Sequence, residues 1–460
     1  MKTVQFVAEA LGDASYLVVH GEEAAVIDPQ RDIRPFVKAA REHGATIRYV
    51  VETHVHNDYV SGGRELAALG AEVIAPAAGK LEFPHRPVED GDVIDLGGAK
   101  LLVTAAPGHT YEHVAYLGVT PSGEVRGAFT GGALLMAAAG RTDLLGPDHT
   151  ETLTRLQWET AQKLRKLVPA TADVLPTHGA GSFCSATGTD LGRCGPMAAE
   201  LLRNPALIAK TYQEFRALHL ASEMPIPGYY RYMAPINRKG PKVYGEPPRP
   251  QRLSAGELLG LGRETWVVDV RTRADYAAGH LPGSLEIEES TSMLAYVGWL
   301  IPFDAPIALV AYDGLQAERV TVDLFRIGYE HVVGYAAARE LPLTARTETV
   351  SAEEIAEALR SGRVPVLDVR YAQELRDEPV PGARPLPFDR MPEWAPEVEG
   401  PVLVSCASGQ RAAMVASYLE RLGVTARPFI AGGAAEVRRA LAAKVGRGAP
   451  GAHASRGPVM

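Results

Sequence analysis

Cysteine is nearly absent: Cys184, Cys194 and Cys406 are the only three in 460 residues. Three thiols cannot build a disulfide framework, so each reads as a small buried hydrophobe or as a reactive group in a reducing compartment. Long apolar runs are missing too. No stretch reaches the about 18 consecutive apolar residues of a membrane-spanning helix, so no membrane partner is expected. The opening segment MKTVQFVAEALGD has no basic stretch followed by an apolar core and a small-residue cleavage site. No signal peptide is read there, and the cytoplasm is the expected location. An excess of basic charge is also lacking. Against 55 Asp and Glu stand 47 Lys and Arg, a net charge of −8 that argues against nucleic acid as a partner. The 46% hydrophobic content can fill packed cores, and the length is too great for one of them, so about three domains are expected.

The first part of the chain alternates short β-branched runs with helical stretches. VVHGEEAAVIDP reads as two strands turning at Gly21, and IRPFVKAAREHG as a helix stopped by Gly44. IRYVVETHVH, AKLLVTAAPGHT and ADVLPTHG read as strands that run into histidine-bearing loops. HTETLTRLQWETAQKLRKLVP has an acidic start, a basic end and amphipathic spacing, as a helix requires. Residues 224–250 are rich in Pro, Gly and Tyr, which break regular elements, so a linker or wrapping arm is placed there. An internal repeat follows. WVVDVRTRADYAAGHLPGSLEI and VPVLDVRYAQELRDEPVPGARPLP each carry an apolar run ending in Asp-Val-Arg, a short helix and then Pro-Gly. Each is followed by a second apolar run, a turn and a helix. The repeated aspartates, Asp269 and Asp368, lie one small α/β domain apart, and the strand–helix alternation implies parallel sheets. The expected units are 1–223, the arm 224–250, 251–346, 347–445 and a disordered tail 446–460.

In the second copy Cys406 follows the buried-strand pattern PVLVS, and CASGQR leads into an amphipathic helix. That position presents backbone N–H groups and the positive end of a helix dipole to the sulfur, which suits an anionic sulfur species. Ala407, Ser408 and Gly409 are small enough for the backbone to curl around it, with Gln410 completing the loop, and Arg411 adds a cation. This loop resembles the active-site loop of rhodanese domains, over 350–440 and more weakly over 252–345. The resemblance implies a sulfurtransferase that carries sulfur on Cys406, with Ala407, Ser408, Gly409 and Gln410 lining the substrate. In the first copy the equivalent loop, Tyr312 to Ala317, has no cysteine, so that copy is expected to be structural or to serve in docking.

The first part also carries Thr53-His54-Val55-His56-Asn57-Asp58-Tyr59, then Pro107-Gly108-His109-Thr110 and Thr177-His178-Gly179. Two histidines two apart at a strand end, joined by histidines of later loops, suit a zinc or iron site. These motifs, with Phe129-Thr130-Gly131-Gly132 and Gly140-Arg141-Thr142-Asp143, resemble the metallo-β-lactamase fold and its persulfide dioxygenase branch. An αββα sandwich ahead of two rhodanese-like α/β domains is therefore the expected fold. The resemblance implies iron (Fe²⁺) held by His54, His109 and an aspartate at position 132, where this chain has Gly132. His56, Asp58 and His178 are the further candidate ligands; zinc or no metal are the alternatives, and Asp143 is no obvious substitute. Tyr59 stands where hydrolases of the fold place a histidine for a second metal, which argues against a dinuclear zinc site. Cys184 is expected to line the substrate approach, and Cys194 is read as structural. The implied partners are a low-molecular-weight thiol persulfide, thiosulfate or sulfite, and a second or further copies in a homodimer or homotetramer. A glyoxalase II-like thioester hydrolase and a metal-free persulfide-binding scaffold remain open.

Overall fold

A computed structural model describes residues 1–179, 182–185, 192–221 and 224–445; the tail expected over 446–460 lies outside them. Successive side chains of a strand point to opposite faces, and here both faces are apolar. In strand Asp13–His20, Tyr16 and Val18 join Val103, Tyr116 and Phe129 of a second sheet. Leu17 and Val19 face the other way, onto Phe36 and Ala39 of helix Arg34–Glu42. The second sheet buries Leu117, Ala128 and Val174 under Ala161 and Leu164 of helix Pro147–Leu167. The product is the expected four-layer αββα sandwich. One six-stranded sheet runs Lys2–Ala8, Asp13–His20, Glu23–Ile27, Thr46–Val51, Glu72–Pro76, Arg86–Val88. The other runs Gly195–Pro196, Asp173–Pro176, Val125–Gly131, Val114–Val119, Ala99–Ala105, Val93–Leu96.

The internal repeat folds as two four-stranded sheets of identical order, all of whose pairs are parallel. The first orders Leu285–Glu286, Trp266–Asp269, Ile307–Ala311, Val332–Ala337. The second orders Arg384–Pro385, Val366–Asp368, Val402–Ser405, Ala426–Pro428. The repeated Asp-Val-Arg is an internal clamp in both. Arg271 Nη2 bonds Asp269 Oδ2 at 2.7 Å and the carbonyl of Gly279 at 2.8 Å. Arg370 makes the same two bonds at 2.7 Å, to Asp368 and to the carbonyl of Glu378. The motif thus ties strand to following helix and carries no chemistry itself.

The arm 224–250 departs from expectation. It contains a helix, Tyr230–Lys239, although Pro235 lies within it. Its buried residues Tyr230, Met233, Ala234 and Asn237 recur at i, i+3, i+4 and i+7, a helical stripe that outweighs the breaking composition. Met233 belongs to one buried cluster with Tyr59 and Val60 of the sandwich and Ile301 and Tyr329 of the first copy. The segment is a wedge between domains. Beside it, buried Arg31 pairs with Glu330 at 2.6 Å and stacks over Phe325. Among the described residues no helix is long and apolar enough to cross a membrane.

Candidate functional site

The thiol loop forms as the strand–loop–helix order requires. Strand Val402–Ser405 ends at Cys406, which is fully buried, while Ala407 and Ser408 at the rim are exposed. Gly409 turns the chain at φ +92° and donates its N–H to Cys406 Sγ at 3.1 Å. A side chain there would meet the carbonyl of Ile430 at 2.3 Å, so both conformation and space demand glycine. No side chain caps helix Gln410–Arg421, which leaves its first N–H groups facing the loop. Arg411 forks onto Glu374 at 2.6 and 3.0 Å, lies over the Tyr371 ring, and is within electrostatic reach of the Cys406 sulfur. Burial works against that charge, but Glu374 and Cys406 outweigh it and hold the guanidinium firmly protonated. Gln410 reaches into the first copy, donating to Ser290 Oγ at 2.8 Å. Replacing Glu374 by alanine strands a buried cation and is expected to lower stability by about 1–3 kcal/mol, read as a drop in melting temperature.

The same frame is filled differently in the first copy. Asp313 caps helix Gly314–Arg326 by accepting from the N–H of Gln316 at 2.9 Å. Gln316 Oε1 takes the N–H of Tyr312 at 2.8 Å, and Tyr312 hydroxyl bonds Asp275. In the corresponding loop of the first copy the chain's own carboxylate and amide take up the N–H groups of Gln316 and Tyr312, and no thiol is present. Between the sandwich and the thiol domain opens a cleft of about 770 Å³, whose walls include Arg141 and His219 of the one, Arg390 of the other and Trp299 of the first copy. Trp299 packs on Tyr371 of the thiol domain and on Phe183 of the sandwich.

In the sandwich, loops after three strands bring His54, His56, Asp58, His109 and His178 together, all buried. Among the described residues three groupings offer ligand atoms within 4.8 Å of one another: His54–His109–His178, His56–Asp58–His178 and Asp28–Glu52–His56. His56 Nε2 is surrounded by Asp28 at 3.3 Å, Glu52 at 3.2 Å and the Tyr59 hydroxyl at 3.0 Å. Burial lowers its proton affinity, but the two carboxylates raise it far more, so His56 is a caged cation. Asp28 sits at φ +50°, a left-handed position that Asp tolerates, and accepts from the N–H and hydroxyl of Thr53 at 2.7 and 2.8 Å and from Thr177. Burial would raise this carboxyl, yet His56 and these donors hold it below the ordinary range. Tyr59 donates to the carbonyl of Asp28 and, being buried, keeps its proton far above the usual phenol range.

His178 Nδ1 lies 3.0 Å from Asp13 and 3.1 Å from Asp58, and its Nε2 lies 3.3 Å from His54 Nε2. Burial opposes its charge; the two carboxylates reverse this and lift its pKa to about 10. Asp13 is pushed up to about 7 by burial and by Asp58. His109 and His54 go the other way. Burial first, then neighbouring imidazoles, bring His109 down to about 3 and hold His54 well below its usual value, so both are neutral at pH 7.

The expected iron face does not fit these residues. A Cβ at position 132 would stand 2.4 Å from Cδ2 and 2.6 Å from Cγ of His109. The Gly132 N–H instead donates to His113 Nε2 at 2.9 Å, and Gly140 closes onto the Gly132 carbonyl. The backbone fills the place where a carboxylate would project. Asp143 is no replacement: it is held by Arg141 at 2.8 and 2.6 Å.

Cys184 is fully buried with Sγ 3.9 Å from the Tyr230 hydroxyl. Burial, then the charges of Asp58 and Asp13, push its thiol well above the ordinary range, so as placed it is a poor nucleophile. Cys194, read as structural, is exposed. Sequence reasoning missed Asp13, Asp28, Glu52, His113, Glu374 and Gly433. Only His113, four residues after His109, left a signal in spacing.

The metallo-beta-lactamase superfamily model matches residues 10–179, and the rhodanese-like domain model matches 254–337 and 351–440. A hydroxyacylglutathione hydrolase of Methylobacillus flagellatus is 39% identical over 125 residues, covering 26% of this chain and 47% of that protein. One of Rhodospirillum rubrum is 35% identical over 157 residues, 34% of this chain and 56% of that protein. The chain spans about half the length of these curated relatives. A metallo-beta-lactamase from Staphylococcus aureus subsp. aureus COL superposes with a TM-score of 0.66 at 26% identity, over 73% of this chain and 99% of that one.

Proposed function

We propose that this chain, a metallo-β-lactamase domain followed by two rhodanese-like domains, is a persulfide-processing sulfurtransferase that carries sulfur on Cys406. The observation that carries the reading is the uncapped helix start and Gly409 N–H turned onto Cys406 Sγ, in the one copy of the repeat that has a thiol. A Cys406 thiolate attacks the outer sulfur of thiosulfate, the S–S bond breaks, and sulfite leaves with the bonding electrons. The backbone N–H groups hold the resulting persulfide anion. A thiolate acceptor then attacks the outer sulfur, forms a new persulfide and returns the Cys406 thiolate; run in reverse, a low-molecular-weight persulfide and sulfite give thiosulfate. The cleft beside Arg141 and Trp299 would seat the thiol carrier, and the sandwich would bind its persulfide form.

Thiosulfate-treated protein is expected to gain the mass of one sulfur atom per chain, mapped by peptide to Cys406 and removed by added thiol. No adduct, or one confined to Cys184 or Cys194, overturns the reading. The named hydrolase relatives favour a second reading for the sandwich, thioester hydrolysis of a glutathione conjugate. That chemistry needs a metal-activated water, usually at two metals. Tyr59, caged His56 and Gly132 all weigh against it.

A further inference from the structure

We infer that Ser290 and Tyr296 of the first copy are positioning residues for the Cys406 reaction, acting through Gln410. The inference rests on the sulfurtransferase reading and concerns the N–H groups that would hold the anionic sulfur. Gln410 is the first residue of helix Gln410–Arg421 and directly follows Gly409, whose N–H meets Cys406 Sγ. Its amide is held at both ends from the other copy. Nε2 donates to Ser290 Oγ at 2.8 Å, and Oε1 accepts from the Tyr296 hydroxyl at 3.4 Å. With its side chain anchored, Gln410 cannot turn freely about its backbone, so the N–H groups at the helix start keep their direction. Such donors hold an anion only while they converge on it.

The anchors are themselves fixed. Tyr296 is buried on helix Met293–Leu300, with its ring edge-on to Phe388 at 5.2 Å. On the same helix a Cβ at Gly298 would stand 2.3 Å from the Tyr229 ring, which leaves the helix no room to shift toward the arm. Further along the thiol helix the first copy takes hold again. The Glu286 N–H donates to Ser417 Oγ at 3.0 Å, His280 Nε2 meets Glu420 at 3.1 Å, and Arg421 donates to the Gly283 carbonyl at 2.5 Å. Gln410, Ser417 and Arg421 recur at i, i+7 and i+11, one face of the helix. On the other flank of the loop Arg273 Nε donates at 3.1 Å to the Ile430 carbonyl, the group packed against Gly409. A copy without a thiol is thus bonded to the thiol-bearing helix along one face and to both flanks of its loop.

The test uses full-length protein and two readouts. One is steady-state kinetics with thiosulfate. The other is alkylation of Cys406, read on its peptide, by anionic iodoacetate against neutral iodoacetamide. The ratio of the two alkylation rates reports how well the loop holds an anion; it needs no sulfur transfer and cancels general access. Ser290→Ala combined with Tyr296→Phe is expected to raise KM for thiosulfate about tenfold with kcat changed less than about threefold, and to lower the alkylation ratio about fivefold. Ser290→Thr keeps the hydroxyl and should retain the wild-type ratio. In a double-mutant cycle Ser290→Ala should add nothing once Gln410 is replaced by alanine. Should the combined variant unfold, Ser290→Ala alone removes the shorter bond and is expected to lower the ratio about twofold to threefold. A wild-type ratio in the folded variants, or effects of Ser290→Ala and Gln410→Ala that simply multiply, overturns the inference. A wild type that takes no sulfur from thiosulfate overturns the sulfurtransferase reading instead, and the alkylation ratio still decides this one.

Discussion

Cys406→Ser is expected to lower thiosulfate:thiol sulfurtransferase activity by at least about a thousandfold, about 4 kcal/mol of transition-state stabilisation. The oxygen is isosteric enough to keep the loop, since Gly409 N–H can bond a hydroxyl as it bonds the sulfur. A serine cannot form a persulfide, so the covalent intermediate is lost and nothing nearby replaces it. The first copy has Tyr312 and Asp313 in the corresponding loop, and Cys184 is held protonated behind Tyr230. The protein should still fold with a drop of only a few degrees in melting temperature, because the buried hydroxyl keeps the Gly409 N–H as a partner and the loop keeps its backbone bonds. Activity in Cys406→Ser within tenfold of wild type would show that sulfur travels by another thiol. The same measurement on Cys184→Ser is expected to leave the rhodanese half-reaction intact.

What the sequence revealed of this centre was what is contiguous. Strand, cysteine, small residues, glycine and helix lie within one short segment, and local order alone puts the sulfur before the helix start. What closes the centre comes from far along the chain and left no mark. Glu374 fixes Arg411 from another helix, and Gly433 packs so tightly that a Cβ there would stand 1.8 Å from the Ala407 carbonyl. The histidines followed the same rule. Strand ends announced His54, His109 and His178, but the acceptors that set their tautomers are Asp13, Thr53 and the Arg141 carbonyl, brought in by tertiary pairing such as the bridge between Asp13 and His178. The helix Tyr230–Lys239 was hidden for a different reason. Its composition argues for a broken chain, while its buried stripe acts only in contact with the loop it supports: Asn237 donates to the carbonyls of His56 and Tyr59 at 2.9 Å each.

Restoring the expected carboxylate with Gly132→Asp should damage the sandwich rather than complete it. The new Cβ falls 2.4 Å from the His109 ring, and the neighbouring atoms are the root of that side chain, not a flexible tip. His109 cannot swing freely, because its Nδ1 is bonded to Arg141 and Gly140 lies against its other side. Overpacking of this kind costs about 1–3 kcal/mol, and a further buried carboxylate beside those of Asp28 and Asp58 adds desolvation and like-charge repulsion. A total loss of about 2–4 kcal/mol is expected, with Gly132→Ala showing the steric share alone. A Gly132→Asp protein that melts at or above the wild-type temperature and binds iron more tightly would mean the loop opens on demand. The glycine would then be a recent loss in an otherwise intact two-histidine, one-carboxylate face. The expected result instead marks Gly132 as fitted to its surroundings: His113, Gly140 and Gln157 all bond its backbone.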